Sequence, residues 1–137
     1  AMLVGVGRTL VEMTVGYVGE RQQFGVPIGS FQAVKHHLAD ASLAVEFAEP
    51  LVLRAANSLA TGHPDASVHA SMAKAKASDA ARRAASTALQ CHGAIGYTVE
   101  YDLHLFMKRA WALAVEAGDA EFHRGRIRTA LLGSSPR

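Results

Sequence analysis

Cysteine is almost missing from this chain: Cys91 stands alone, so no disulfide can close within it and a reducing compartment is the simpler setting. Also missing is any apolar run near the roughly 20 residues that a membrane-spanning helix needs. Residues 1–7 are apolar, but they lack the basic flank of a signal peptide and run straight into a helical pattern with Arg8 and Glu12. No lipidation motif is present either. Charge of one sign is not in large excess, since 14 Lys and Arg against 12 Asp and Glu leave +2. Lys74, Lys76, Arg82 and Arg83 are dispersed among alanines rather than clustered with aromatics, which argues against a nucleic-acid surface. No stretch reads as a β-strand. A start inside a helical pattern reads as a piece of something longer.

Half of the 137 residues are apolar, enough for one core and too few for two domains, so a single helical domain over 1–137 is expected. The first helix should cover 1–22, with Leu3, Gly7, Leu10, Thr14 and Val18 on one face and Val4, Val11 and Val15 beside them. Gly25 and Pro27 stop it. Ser30 is placed to cap a second helix running to about residue 60. There Phe31, Val34, Leu38, Ala41, Val45, Ala48 and Val52 form a bundle seam, and Leu43, Phe47 and Leu51 a second stripe that calls for neighbours on two sides. Pro50 removes one backbone hydrogen bond and is expected to bend this helix.

The turn at 61–65 ends it, with Asp65 able to cap the third helix. That helix carries a stripe of small residues, Ala66, Ala70, Ala73, Ala77, Ala80, Ala84, Ala88 and Cys91, which lets two helix backbones approach closely. Gly93 and Gly96 break it. A fourth helix spans about 101–117 on Leu103, Phe106, Ala110 and Leu113, and a short fifth carries Phe122, Ile127, Ala130 and Leu131. Short loops favour antiparallel neighbours, so the fold class is all-α: an up-and-down antiparallel bundle of four main helices and a short C-terminal one.

Two segments carry chemistry. In the first, Arg21 follows a helix, then Phe24, Gly25 and Pro27 shape a loop that leads to Phe31, Gln32 and Asp40. An arginine at a helix C-terminus complements the dipole; its planar fork is equally suited to a pyrophosphate. The second reads Gln90-Cys91-His92-Gly93-Ala94-Ile95-Gly96-Tyr97, ending on Glu100. Gly93 can be a plain helix cap, or backbone that comes close to a phosphate and donates its amides. It is not a dinucleotide fingerprint, having no third glycine and no preceding strand. No glutamate is followed by a histidine three residues on, and His92, His104 and His123 lack zinc spacing, so no metal site is expected. Cys91 reads as packing rather than a nucleophile.

The order and spacing of both segments resemble the C-terminal helical domain of acyl-CoA dehydrogenases, over nearly the whole chain and including the stretch from Leu103 to Arg109. The resemblance implies FAD as cofactor, an acyl-CoA substrate oxidised to its trans-2-enoyl-CoA, and an electron-transfer flavoprotein as electron acceptor. It implies that Arg21, Phe24, Gln32, Gln90 and Gly93 contact the adenine and pyrophosphate half of FAD, usually the flavin of a neighbouring subunit. An oligomer, dimer or tetramer, follows from that.

One position departs from the family pattern. Counting from Arg109, the glutamate that takes the substrate α-proton is replaced by Gly118. Glu116 lies two residues early and Asp119 one residue late; these are the candidate catalytic carboxylates. Their plainer readings are a helix-end carboxylate and an N-cap. Family members that place the base on the first helix, before the residues present here, are a third case. A rival is a non-catalytic subunit that completes the FAD site of a partner dehydrogenase; another is a helical interaction module in which the motifs are coincidence. The alanine-rich helices suit a bacterial cytoplasm more than a mitochondrial matrix. The chain alone is expected to bind FAD weakly and not to turn over.

Overall fold

The computed structural model describes residues 1–133. Five α-helices make up about three quarters of it: α1 (Met2–Glu20), α2 (Gln32–Ala60), α3 (Ala66–His92), α4 (Leu103–Val115) and α5 (Ala120–Leu132). Side-chain pairs set their directions. α2 runs antiparallel to α3, with Asp40 paired to Arg83 and Ser58 to His69. α1 runs parallel to α3, with Gly7 beside Ala81 and Tyr17 beside His92. α3 is the central helix and packs against the other four.

Alanine explains how one helix can serve four neighbours. Ala73, Ala77, Ala80, Ala84 and Ala88 are buried as their spacing predicted, and Ala75, Ala81 and Ala85 bury the adjoining faces. The short side chains leave room for Leu3, Leu10, Val45, Leu103, Met107 and Leu113 to fill the core from outside. Burying each of these larger side chains contributes about 1.5–3 kcal/mol. α1 comes close to both neighbours at Gly7, where an added Cβ would stand 3.0 Å from Val45 Cγ2 and 3.7 Å from the Ala81 Cα.

Leu3, Gly7, Leu10, Thr14 and Val18 are all buried, and the Thr14 hydroxyl donates to the Leu10 carbonyl at 2.6 Å, so no polar group is stranded there. On α2 the seam is buried at Ala41, Val45 and Ala48 and continues to Ala55 and Ser58. Its second stripe behaves otherwise: Leu43 and Phe47 are 53% and 66% exposed on the outer face. Pro50 lies inside α2 without ending it.

Several local expectations are corrected. α1 ends at Glu20, because Arg21 is already extended and two short strands follow, β1 (Gln22–Gln23) and β2 (Val26–Pro27). They pair antiparallel, Gln22 with Pro27 and Gln23 with Val26, across a two-residue turn in which Phe24 and Gly25 have φ of 54° and 80°. Ser30 does not cap α2; its hydroxyl donates to the Pro27 carbonyl at 2.7 Å, and Phe31 takes the cap position. Asp65 stands at the N-cap of α3 without a side-chain bond, while Asp119 does cap α5 by accepting from the Phe122 amide at 2.8 Å. α4 is shorter than expected, and α5, at 13 residues, is as long as α4.

Candidate functional site

Arg21, Phe24, Gln32, Gln90 and Gly93 stand at one end of the bundle. The helix directions bring the C-terminus of α1, the N-terminus of α2 and the C-terminus of α3 to that end, and the β1–β2 hairpin joins the first two. All five residues are exposed. The side chains of Arg21, Gln32 and Gln90 have no hydrogen-bond or ion-pair partner among the described residues, while the Arg21 carbonyl accepts from Ile28 at 2.8 Å and holds the hairpin base.

Phe24 is the unusual member. Both central residues of the hairpin turn need positive φ, a demand that asparagine and glycine meet easily and a bulky aromatic does not. A side chain held this way costs of order 1–3 kcal/mol, and such strain gathers at functional sites. Phe24 is 92% exposed, and its ring meets that of Phe31 edge-on with centroids 6.4 Å apart.

The two glycines after α3 have different tasks. Gly93, at φ 63°, has nothing within 4 Å of where a Cβ would stand. Its amide donates to the Leu89 carbonyl as the cap of α3, so it offers close approach rather than a free donor. Gly96 faces inward, where a Cβ would meet Leu89, His92 and Leu103 at 3.0–3.2 Å. Beneath them the His92 ring lies between Tyr17 and Tyr101, with centroids at 4.2 Å and 5.0 Å. Its Nδ1 is 2.7 Å from the Ala88 carbonyl and therefore carries the proton. Its Nε2 is buried without a partner, and burial pushes the imidazole below its ordinary pKa. His92 is thus a neutral brace for the turn. Neither Tyr17 nor Tyr101 belongs to a motif, so the sequence does not single them out.

Glu116 and Asp119 stand at the other end. α4 runs antiparallel to α3, and the Lys74 Nζ on α3 donates to the carbonyls of Ala114 and Gly118 at 3.1 Å and 2.8 Å. Lys74 and Gln90 are sixteen residues apart on one helix, which separates the two ends by about 24 Å. The carboxylates and the Arg21 group are therefore not brought together within one chain. Gly118 has φ 97°, and a Cβ there would stand 2.4 Å from the Phe122 ring, so no side chain fits the corner as it is. Asp119 is engaged as the cap of α5. Glu116 is exposed and stands with Lys74, Leu113 and Ala117 beside Ala1, Met2 and Leu3, the first residues of the chain. Burial pushes the Lys74 ammonium below the usual lysine range, against the opposing pull of Asp119 and Glu116. Lys74 was visible in the sequence only as a charge among alanines.

A third polar group has no catalytic geometry. Ser58 Oγ lies 2.8 Å from His69 Nδ1, and Arg54 donates to His69 Nε2 at 3.2 Å. The arginine makes Nε2 the acceptor, so Nδ1 carries the proton and cannot take one from the serine. The Cys91 thiol is pushed up by burial, away from the thiolate.

Residues 1–132 match the family model described as acyl-CoA dehydrogenase, C-terminal domain. The chain is 36% identical over 132 residues to a probable acyl-CoA dehydrogenase, YngJ, of Bacillus subtilis, covering 96% of this chain and 34% of that protein. Among solved structures, butyryl-CoA dehydrogenase from Megasphaera elsdenii superposes with a TM-score of 0.89 at 34% identity, over 95% of this chain and 34% of that one. The ChsE4-ChsE5 complex from Mycobacterium tuberculosis does so with 0.89 at 30% identity, over 98% and 36%. The chain thus spans about a third of the length of the proteins it matches.

Proposed function

This chain belongs to the acyl-CoA dehydrogenase family, where it matches the C-terminal domain, and from that premise we propose that it completes the adenosine-diphosphate end of an FAD site in an oligomeric, cytoplasmic acyl-CoA dehydrogenase. The observation that carries this reading is Phe24: a strained, almost fully exposed aromatic beside an unpartnered Arg21 is ready for a contact outside its own chain. The residues at that end fit the group. Arg21 has the fork for a pyrophosphate oxygen pair, Gln32 and Gln90 have free carboxamides, Phe24 presents a ring face or edge, and Gly93 leaves room for approach. When bound, FAD supplies the two-electron acceptor for the hydrogen that leaves the substrate β-carbon, so that loss of the α-proton to a carboxylate leaves a trans-2-enoyl-CoA. An electron-transfer flavoprotein would reoxidise the flavin.

The separation of about 24 Å between the two ends supports an oligomer in which the Arg21 end serves a neighbour's flavin and the Glu116 end faces the chain's own substrate. The experiment is to express the complete enzyme and follow FAD content and flavin bleaching by acyl-CoA. Bound FAD that bleaches, and is lost on Arg21→Ala, is the expected outcome; wild-type protein without FAD would overturn the reading. The 137-residue chain alone should bind FAD weakly and bleach with no acyl-CoA.

A second reading rests on Gly118, a left-handed glycine at the position where the resemblance places the base and where a Cβ would press on the Phe122 ring. In it this chain is a subunit without the base, and a partner dehydrogenase supplies the carboxylate; the similar ChsE4-ChsE5 structure is a complex of two differently named proteins. Bleaching that requires a second dehydrogenase chain, and is untouched by Glu116→Gln, would favour it.

A further inference from the structure

The last turn of α1 is weak by composition. It contains Gly16 and Gly19, and glycine is among the poorest helix formers. Neither has a neighbour within 4 Å of where a Cβ would stand, so close packing does not call for them. Arg21 follows at once in extended backbone, at φ −67° and ψ 121°, and its amide donates to the Tyr17 carbonyl at 2.9 Å. Whatever fixes Tyr17 therefore fixes the backbone from which the Arg21 side chain leaves.

Tyr17 is fixed by rings from two other segments. Its own ring is half-buried and lies on that of His92, with centroids 4.2 Å apart and planes 19° from parallel. Tyr101, ahead of α4, stands 5.0 Å from His92 and 6.0 Å from Tyr17, edge-on to the latter. Stacked and edge-to-face pairs at such separations are the favoured aromatic contacts. The Tyr17 hydroxyl is 3.5 Å from the His92 carbonyl, too long to add much, so the ring carries the attachment. The imidazole is anchored in turn through Nδ1 to the Ala88 carbonyl at 2.7 Å, and His92 directly precedes Gly93. Its Nε2 is left buried without a partner. A group unpaired in this way calls for a reason, and the two flat faces enclosing the ring supply one.

Resting on the FAD reading above, we propose that Tyr17 is a positioning residue for Arg21: by stacking on His92 it ties the glycine-weakened end of α1 to the end of α3, so that Arg21 and the Gly93 turn meet one pyrophosphate as a pre-set pair. Without the tie, binding itself would have to order the end of α1, and that ordering is subtracted from affinity.

The test is a double-mutant cycle in the complete enzyme stripped of FAD: wild type, Tyr17→Leu, Arg21→Ala and both together. Each is titrated with FAD by fluorescence, and thermal unfolding without FAD verifies that each is folded. Leucine is a good helix former and removes the ring. Tyr17→Leu should weaken FAD binding about tenfold or more. Added to Arg21→Ala it should change affinity little, because the tyrosine acts through the arginine. Tyr17→Phe keeps the ring and should hold most of the wild-type affinity. Equal losses from Tyr17→Leu in both backgrounds would reduce Tyr17 to packing and overturn the proposal. So would wild-type affinity in Tyr17→Leu, or a Tyr17→Phe enzyme as weak as Tyr17→Leu. Should Tyr17→Leu fail to fold, Tyr17→Met, whose flexible side chain fills irregular space without a ring, is read in the same cycle by the same criteria. An Arg21→Ala enzyme that binds FAD as tightly as wild type would instead remove the underlying cofactor reading, and this inference with it.

Discussion

The ring of Tyr17 lies against that of His92, with centroids 4.2 Å apart and planes 19° from parallel. This contact fastens the last turn of α1 to the last turn of α3 just below Arg21 and Gly93. It also closes the imidazole off from water, leaving Nε2 without a partner for a proton and the pKa below the ordinary 6.5. The unfolded chain takes up that proton near the ordinary value, whereas the folded chain takes it up only at lower pH. Stability from this site is therefore complete above about pH 6.5 and declines as pH falls from there through the lowered folded value. The unfolding temperature should drop from pH 7 toward pH 5, and less steeply in His92→Phe, which keeps a ring in the stack. Parallel slopes for the two proteins would clear His92 of any part in the acid loss.

Arg21 is exposed and its guanidinium makes no hydrogen bond or ion pair among the described residues. Arg21→Ala should leave the unfolding temperature of the FAD-free enzyme within a degree or two, while FAD affinity falls about tenfold or more, as expected for the loss of a charge-assisted bond to phosphate. Fluorescence titration of FAD into the apo-enzyme reads this directly. Equal affinities would remove Arg21 from the cofactor site.

Gly93 sits at φ 63° and ψ −136° with open space where a Cβ would go. Gly93→Ala therefore has a backbone cost alone, about 1–3 kcal/mol, visible as a lower denaturation midpoint. Gly96→Ala should cost a similar amount for a different reason, since its Cβ presses on Leu89, His92 and Leu103. A neutral Gly93→Ala would mean that the turn relaxes without penalty.

Asp119 is expected to give a stability signature and no catalytic one. Asp119→Ala removes the acceptor for the Phe122 amide and should cost about 1 kcal/mol. Asp119→Asn keeps an acceptor oxygen and should stay within a few tenths of wild type, with flavin bleaching unchanged. Bleaching abolished by Asp119→Asn with FAD retained would move the base to this residue.

Much of the bundle was legible because helix periodicity is local. Leu3, Gly7, Leu10, Thr14 and Val18 repeat at steps of three and four, and such a stripe has to face a core whatever lies across from it. The alanines of α3 likewise announced close neighbours. The β1–β2 hairpin was not legible, because strands of two residues are too short to show a period and Phe24 is not a residue that calls for a left-handed turn. Ser30 and Asp65 have the chemistry of caps, but a cap also needs the side chain aimed at the right amide, and that depends on the backbone before it.

By itself, then, the sequence determined the helices, their buried faces and the two motifs that mark the family, since each depends on residues close together in the chain. Only the tertiary structure decided that the Arg21 group and the Glu116 corner lie at opposite ends of α3, and that Lys74 reaches carbonyls 40 and 44 residues away. Those relationships arise where helices of fixed rise pack side by side. No local pattern encodes which backbone atom a side chain will meet across that interface.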